Sequence, residues 1–329
     1  MTVALVVGVG AVGSRAARQL VDTSAIDRVL VADRDAEQAK RVADALGSDA
    51  QAIEHEPGDP IPSEVAVVVT ALPSGIDHAV VSRAIASGVP VASGDDQHDA
   101  LEQLRALDLN ARSADTTIAV GCGLAPGLVD VLARHAAAMF EEIDEIRIAR
   151  TGWAGHACVA AVRHERRALV HTWHDGGWRE ERTHGDTLVW FPEPIGARDC
   201  RTVTSGTALI VDAFPGVPRV GLQLGEPPKR SWPRRQFGDE GEWGAARVEV
   251  WGRRGGVNDC VVYGIVERTA VAAGAVLAVV AARLAGAITP TLKQPGVRGL
   301  AGLVDPVPFL GELAQRGVRA AVFEGVPVA

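Results

Sequence analysis

The chain has 329 residues, 47% hydrophobic and 22% charged, with 33 Lys and Arg against 41 Asp and Glu, a formal net charge of -8. That length exceeds what one core ordinarily holds, so two domains are expected, and the composition excludes a disordered chain. The acidic balance offers no basic face for nucleic-acid phosphates and points to a small-molecule partner.

In chain order, the first third alternates short β-branched runs with helical periodicity, which predicts βαβ units and a parallel sheet. Strands are predicted at Val3 to Val7, Arg28 to Ala32, Gln51 to Glu54, Val65 to Thr70, Val89 to Ala92 and Thr116 to Val120. Helices are predicted to open at Val12 to Leu20 and to cover Ala36 to Leu46, Ala79 to Ser87 and Ala100 to Ser113. Six strands suit a doubly wound Rossmann domain. Leu128 to Phe140 reads as a helix with Pro126 near its start.

Beyond it, strand-like runs at Glu145 to Ala149, Leu169 to Trp173, Thr187 to Phe191, Ala208 to Val211, Arg247 to Trp251 and Cys260 to Val266 predict an α+β domain on a mostly antiparallel sheet. All seven tryptophans fall between Trp153 and Trp251, in this part. A helix near Glu267 to Ala285, a short one near Pro308 to Gln315 and a strand over Val318 to Phe323 follow. The expected division is 1–122 for dinucleotide binding, 123–266 for substrate and dimerisation, and 267–329 as a helix and tail packing back on the first domain.

Thr269 to Ala282 is uncharged but shorter than the roughly 20 residues that cross a bilayer. The N-terminus enters an apolar strand without a basic region or cleavage site, so no secretory signal is expected. Cys122, Cys158, Cys200 and Cys260 lack zinc-knuckle or CxxC spacing and read as thiols in a reducing compartment. A cytoplasmic location without membrane or nucleic-acid partners is the expectation. The broad second sheet would supply the interface of a homodimer.

Gly8, Gly10 and Gly13 form GxGxxG directly after an apolar strand and at the start of an amphipathic helix, and Asp33 ends the next strand, 20 residues after Gly13. Gly8 permits the turn, Gly10 removes the side chain that would meet a pyrophosphate, and Gly13 allows close packing of helix on sheet. Backbone N–H groups from Gly10, Ala11 and Val12 then face the phosphates, aided by the helix dipole. Asp33 can accept the adenosine ribose hydroxyls and disfavours a 2′-phosphate, which points to NAD. Arg34, with Lys40 and Arg41 nearby, leaves NADP open.

These residues resemble the saccharopine dehydrogenase-like NAD(P)-dependent oxidoreductases. The likeness continues through Thr70-Ala71-Leu72-Pro73 and Ser93-Gly94-Asp95-Asp96, then Gly121-Cys122-Gly123-Leu124-Ala125-Pro126-Gly127-Leu128. It also covers Phe191 to Gly196 and Leu303 to Val318. The resemblance implies hydride transfer to or from a carbon bonded to nitrogen in an amino-acid-derived substrate, as amine/imine interconversion or reductive condensation. Two other readings stay open. One is a carbon–oxygen dehydrogenase of the two-domain sugar type, which ordinarily carries Lys-Pro after the fifth strand; Val91-Ala92-Ser93-Gly94 has no lysine. The other is a non-catalytic dinucleotide sensor or scaffold.

Ligands of a doubly wound sheet lie beyond the carboxyl ends of its strands. Leu72 and Pro73, and Gly121 after the sixth strand, are therefore expected against the cofactor. Asp95 is a candidate for orienting a substrate amine and Asp96 for relaying a proton, unless they only cap the next helix. In the second domain, Arg150 and Arg163 are candidates for a substrate carboxylate, Trp153 for its wall, and His156 and His164 for acid/base work. Cys122 and Tyr263 read as packing residues, and no side-chain cluster has metal-ligand spacing.

Overall fold

The computed structural model describes residues 1–181, 186–226 and 241–322. The first unit runs β1 (Val3–Val7), α1 (Ala11–Val21), β2 (Arg28–Ala32), α2 (Ala36–Leu46), β3 (Ala50–Ala52), β4 (Val65–Thr70), α3 (Asp77–Ala86), β5 (Val91–Ser93), α4 (His98–Arg105), α5 (Asp108–Ser113) and β6 (Thr117–Val120). The second comprises α6 (Leu128–Ala137), β7 (Glu142–Thr151), α7 (His156–Glu165), β8 (Val170–His174), β9 (Gly177–Glu181), β10 (Thr187–Trp190), β11 (Ala197–Val203), α8 (Thr207–Ala213), β12 (Arg219–Gly225), β13 (Trp243–Arg254) and β14 (Val257–Arg268). The chain closes through α9 (Thr269–Leu284), β15 (Gly296–Gly299), α10 (Leu300–Leu303), α11 (Pro306–Gln315) and β16 (Ala320–Val322).

The first sheet is parallel, in the order β15-β6-β5-β4-β1-β2-β3. The six strands expected from the β-branched runs are there, and β15 adds a seventh beside β6. The helix expected over Ala100 to Ser113 is two helices, α4 and α5. The break lets the Asp108 carboxylate, at the start of α5, accept the Val297 N–H (2.9 Å) and pair with Arg298 (2.8 Å), which moors β15.

The second sheet has the order β10-β11-β12-β7-β13-β14-β16, with β8 and β9 off β12. It is antiparallel except where β12 runs parallel to β7. The Ala208 to Val211 run is helical, inside α8, and not a strand; a four-residue apolar run cannot be assigned by period alone. Strands β9, β11 and β12 went unpredicted because charges and glycines interrupt their apolar positions. Phe323, the expected end of the last strand, lies outside the described residues.

One apolar cluster joins the two sheets. It runs from Val6 and Val69 through Val276 and Val280 of α9 to Ile146, Ile148 and Val248 on the second sheet's inner face. Helix α9 is buried along nearly its whole length and lies against α1, where a Cβ on Gly274 would stand 2.6 Å from Arg15 Cβ. A helix that is apolar all round is a core helix when it is this short. Among the described residues no helix is long and apolar enough to cross a membrane.

Candidate functional site

β1 is fully buried, and its end turns sharply at Gly8, whose φ of +86° and whose Ala71 carbonyl neighbour leave no room for a side chain. A Cβ on Gly13 would stand 1.8 Å from the Gly8 carbonyl oxygen, so α1 must begin with a glycine there. At Gly10 a Cβ would meet nothing within 4 Å, which leaves open space in front of the helix start. No side chain caps α1 and no acidic residue sits in its first turn. Its first N–H groups are thus free to meet an anion, which is what a dinucleotide pyrophosphate requires.

Asp33 closes the loop from the side. One carboxylate oxygen accepts the Val9 N–H (2.9 Å) and the other the Asp35 N–H (3.1 Å), while the Gln38 side chain donates to the Val9 carbonyl (3.1 Å). The loop opens into a cleft of about 990 Å³, walled by Gly10, Ala11 and Val12, by Leu72 and Gly94, and by Gly155 and His156 of the second unit. On its α1–α2 side stand Arg15, Arg18, Arg34 and Arg41. Arg41 is shared among Asp35, Glu37 and Gln38. Four guanidinium groups therefore line that end of the cleft, one of them paired with the acids of α2's first turn.

At the other end the Leu72-Pro73-Ser74-Gly75 loop is fixed by Asp95. Its carboxylate accepts the Ser74 hydroxyl (2.7 Å) and the Gly75 N–H (2.9 Å), and it is 4% exposed. Asp95 therefore holds the loop, and is neither an open substrate ligand nor the cap of α4, whose N-cap is Gln97. Beneath it lies Asp77, buried, with the Thr70 and Ser93 hydroxyls donating to one oxygen and no partner on the other. Burial, reinforced by Asp95, pushes the Asp77 carboxyl up to about 7. Gly121 turns off β6 at φ +65° against Leu209 and Pro126 and does not line the cleft. Cys122 is fully buried, and burial raises its thiol pKa, so it packs.

The two units meet along a polar seam. Arg150 follows Ile146 and Ile148 on β7 at period two, so it shares their inner face at the strand's end, where its guanidinium meets the Asp96 carboxylate at 3.0 Å. His156, the first residue of α7, is exposed on the cleft wall. His164 and Arg163, in the last turn of the same helix, lie outside the cleft lining. Trp153 is 3% exposed and belongs to the main core, which corrects its placement on a substrate wall. Tyr263 is likewise buried, its hydroxyl 2.8 Å from His135 Nδ1.

Glu165 is the seam residue that the sequence pattern did not single out. With Val159 and Val162 it makes the buried face of α7, and one of its oxygens accepts the Ser205 N–H at 2.7 Å. Burial pushes its carboxyl up to about 7, opposed by the Arg150 charge and reinforced by Asp96. The i, i+3, i+6 spacing of Val159, Val162 and Glu165 was the available signal. Among the described residues no three His, Cys, Asp or Glu side chains converge as a metal site.

Residues 4–119 match the saccharopine dehydrogenase NADP binding domain model. In fold the chain is similar to saccharopine dehydrogenase (L-Glu forming) from Saccharomyces cerevisiae, with TM-score 0.71 and 14% identity over 98% of this chain and 100% of that one. It is also similar to DAP dehydrogenase of C. glutamicum in complex with DAP (TM-score 0.52, 14% identity, 92% and 94% coverage). A third likeness is to a probable dehydrogenase from Thermotoga maritima (TM-score 0.54, 13% identity, 98% of each chain). Residues 4–119 thus form a saccharopine dehydrogenase NADP binding domain, and the likeness of the whole chain to these structures is one of fold.

Proposed function

We propose that this chain is an NAD(P)-dependent oxidoreductase that moves a hydride to or from a carbon bonded to nitrogen in an amino-acid-derived substrate. The observation that carries this reading is the Arg150–Asp96 pair at 3.0 Å across the seam. A guanidinium there suits a substrate carboxylate, and the acidic partner beside it suits a substrate ammonium. The names of two of the similar structures, a saccharopine dehydrogenase and a DAP dehydrogenase, support the choice of nitrogen over oxygen.

NAD(P), when bound, supplies the carbon that accepts or returns the hydride. The chain's own residues do the rest. Gly10 to Val12 and α1 would hold the pyrophosphate, and Asp33 and Arg34 would hold the adenosine ribose, the arginine favouring a 2′-phosphate. Leu72, on the loop that Asp95 tethers, would border the nicotinamide, with Pro73 beside it in the loop. In the oxidative direction the substrate ammonium sheds one proton and the carbon its hydride, leaving an iminium; in the reductive direction both return. His156 on the cleft wall, or Asp96 beside Arg150 at the seam, would handle that proton; His164 is the weaker candidate, in the last turn of α7 and away from both.

The test is titration with NADPH and NADH by tryptophan energy transfer, followed by turnover screens. Amino acids would be offered with the oxidised cofactor, and 2-oxo acids plus ammonia or amines with the reduced one. Amine-dependent cofactor oxidation supports the reading. Tight cofactor binding with turnover only on alcohols or sugars would overturn it.

A further inference from the structure

Asp96 is held twice across the seam, and only one of the two holds is the ion pair. Its backbone carbonyl also accepts the Ser205 hydroxyl, a contact between residues 109 apart in sequence. Ser205 lies in the turn that starts α8, and its N–H in turn donates to Glu165 at 2.7 Å. Arg150, the partner of the Asp96 carboxylate, is also the cation that most favours the ionised form of Glu165. The four residues come from four separate elements: the loop after β5, the end of β7, the end of α7 and the start of α8. Together they join the two units around one guanidinium.

Glu165 is costly where it stands. It is 6% exposed, and its second oxygen has no partner in the structure. A buried carboxyl group with an unmet oxygen costs stability that an apolar residue there would not. What it does is hold the Ser205 N–H, and through the Ser205 hydroxyl the backbone of Asp96.

We propose that Glu165 and Ser205 are positioning residues: they hold the Asp96 loop of the dinucleotide-binding unit against Arg150 and so set the geometry in which Arg150 receives a substrate carboxylate. The strap itself stands on the hydrogen bonds alone, and its consequence for substrate rests on the function proposed above. Glu165 does not have to touch substrate for this role. Losing either link loosens the Gly94–Gln97 segment, which keeps its Arg150 pair and its Asp95 bonds, without disturbing the glycine loop, which is anchored separately by Asp33.

The experiment is hydrogen–deuterium exchange on the full chain with NADPH present, comparing wild type with Ser205→Ala, Glu165→Ala and Glu165→Gln. Glutamine keeps an oxygen able to accept the Ser205 N–H, whereas alanine does not. Ser205→Ala and Glu165→Ala should raise exchange in residues 94–97 about fivefold, the effect of one lost hydrogen bond, with residues 8–13 unchanged. Glu165→Gln should stay near wild type. If Glu165→Ala does not fold, Ser205→Ala carries the test. Unchanged exchange at 94–97 in the alanine variants, an even rise over both units, or a glutamine variant as loose as the alanine would each overturn the strap. A localised rise together with an empty turnover screen would sink the proposed reaction and leave the strap standing.

With a substrate in hand, Glu165→Ala should raise its KM more than it lowers kcat, and glutamine should restore the KM. A loss confined to kcat would overturn the claim about Arg150 geometry.

Discussion

At the glycine loop the working groups are backbone N–H groups, brought into place by residues within one βαβ unit: Gly8, Gly10, Gly13 and Asp33. At the seam they are side chains, Asp96, Arg150, Glu165 and Ser205, drawn from four elements of two units. The loop presents an anion site that does not titrate and is fixed by steric necessity. The seam is a network of charged and hydrogen-bonded side chains in which burial raises the Glu165 carboxyl to about 7. On the function proposed above, the first region would bind the cofactor and the second would discriminate among substrates.

The sharpest way to break this contrast is at glycine. Gly10→Val should leave the fold intact, since its Cβ meets nothing within 4 Å, yet reduce NADPH affinity by about a hundredfold or more, or ~2.7 kcal/mol. Gly13→Val should instead lower the thermal midpoint, because its Cβ falls 1.8 Å from the Gly8 carbonyl oxygen. Retained NADPH affinity in a folded Gly10→Val protein would remove the loop from cofactor binding.

The second prediction concerns pH. Glu165 ionises near its ordinary 4.5 when unfolded and near 7 when folded, so between those values the native state holds the extra proton. Its contribution therefore favours the fold below about pH 4.5 and is lost as pH rises toward 7 and beyond, by on the order of 3 kcal/mol. Asp77 behaves alike between 3.8 and about 7. Denaturant midpoints measured from pH 4 to 8 should thus fall less steeply in Glu165→Gln and Asp77→Asn than in wild type. Parallel profiles would mean that neither carboxyl is protonated in the fold.

Arg150→Ala should raise the KM of an amino-acid substrate by about thirtyfold, the value of a charge-assisted pair, while changing stability by no more than about 1 kcal/mol because the pair is partly solvated. Unchanged KM would move carboxylate recognition elsewhere. The smallest effect is expected at the adenosine end. Arg34→Ala should weaken NADPH about tenfold and leave NADH alone, as for one charge-assisted bond to phosphate. Equal weakening of both would show that Arg34 does not read the 2′-position.

The dinucleotide loop was legible in the sequence because every part of it lies within a short span and each residue type answers a local steric demand. Asp95 and Asp96 were legible as a pair, but their roles were not. One is spent on Ser74 and Gly75 and the other turns to Arg150, a choice made by elements 20 and 54 residues away. Trp153 stood in a glycine-rich stretch that looked like a site, yet its ring fills the core. Glu165 was not singled out at all, because the helix that buries it was not predicted.

By itself the sequence determined the parallel sheet, the glycine turn, the acidic end of β2 and the family of the first 119 residues, since β-branched runs, glycine sterics and helix periodicity act over a few residues. Tertiary structure alone decided that Gly296–Gly299 joins the first sheet as a seventh strand beside β6. It also decided that Glu165 stands behind Arg150. Those outcomes depend on burial and charge pairing between distant segments, and no local pattern records which distant partner a buried carboxyl or an edge strand will meet.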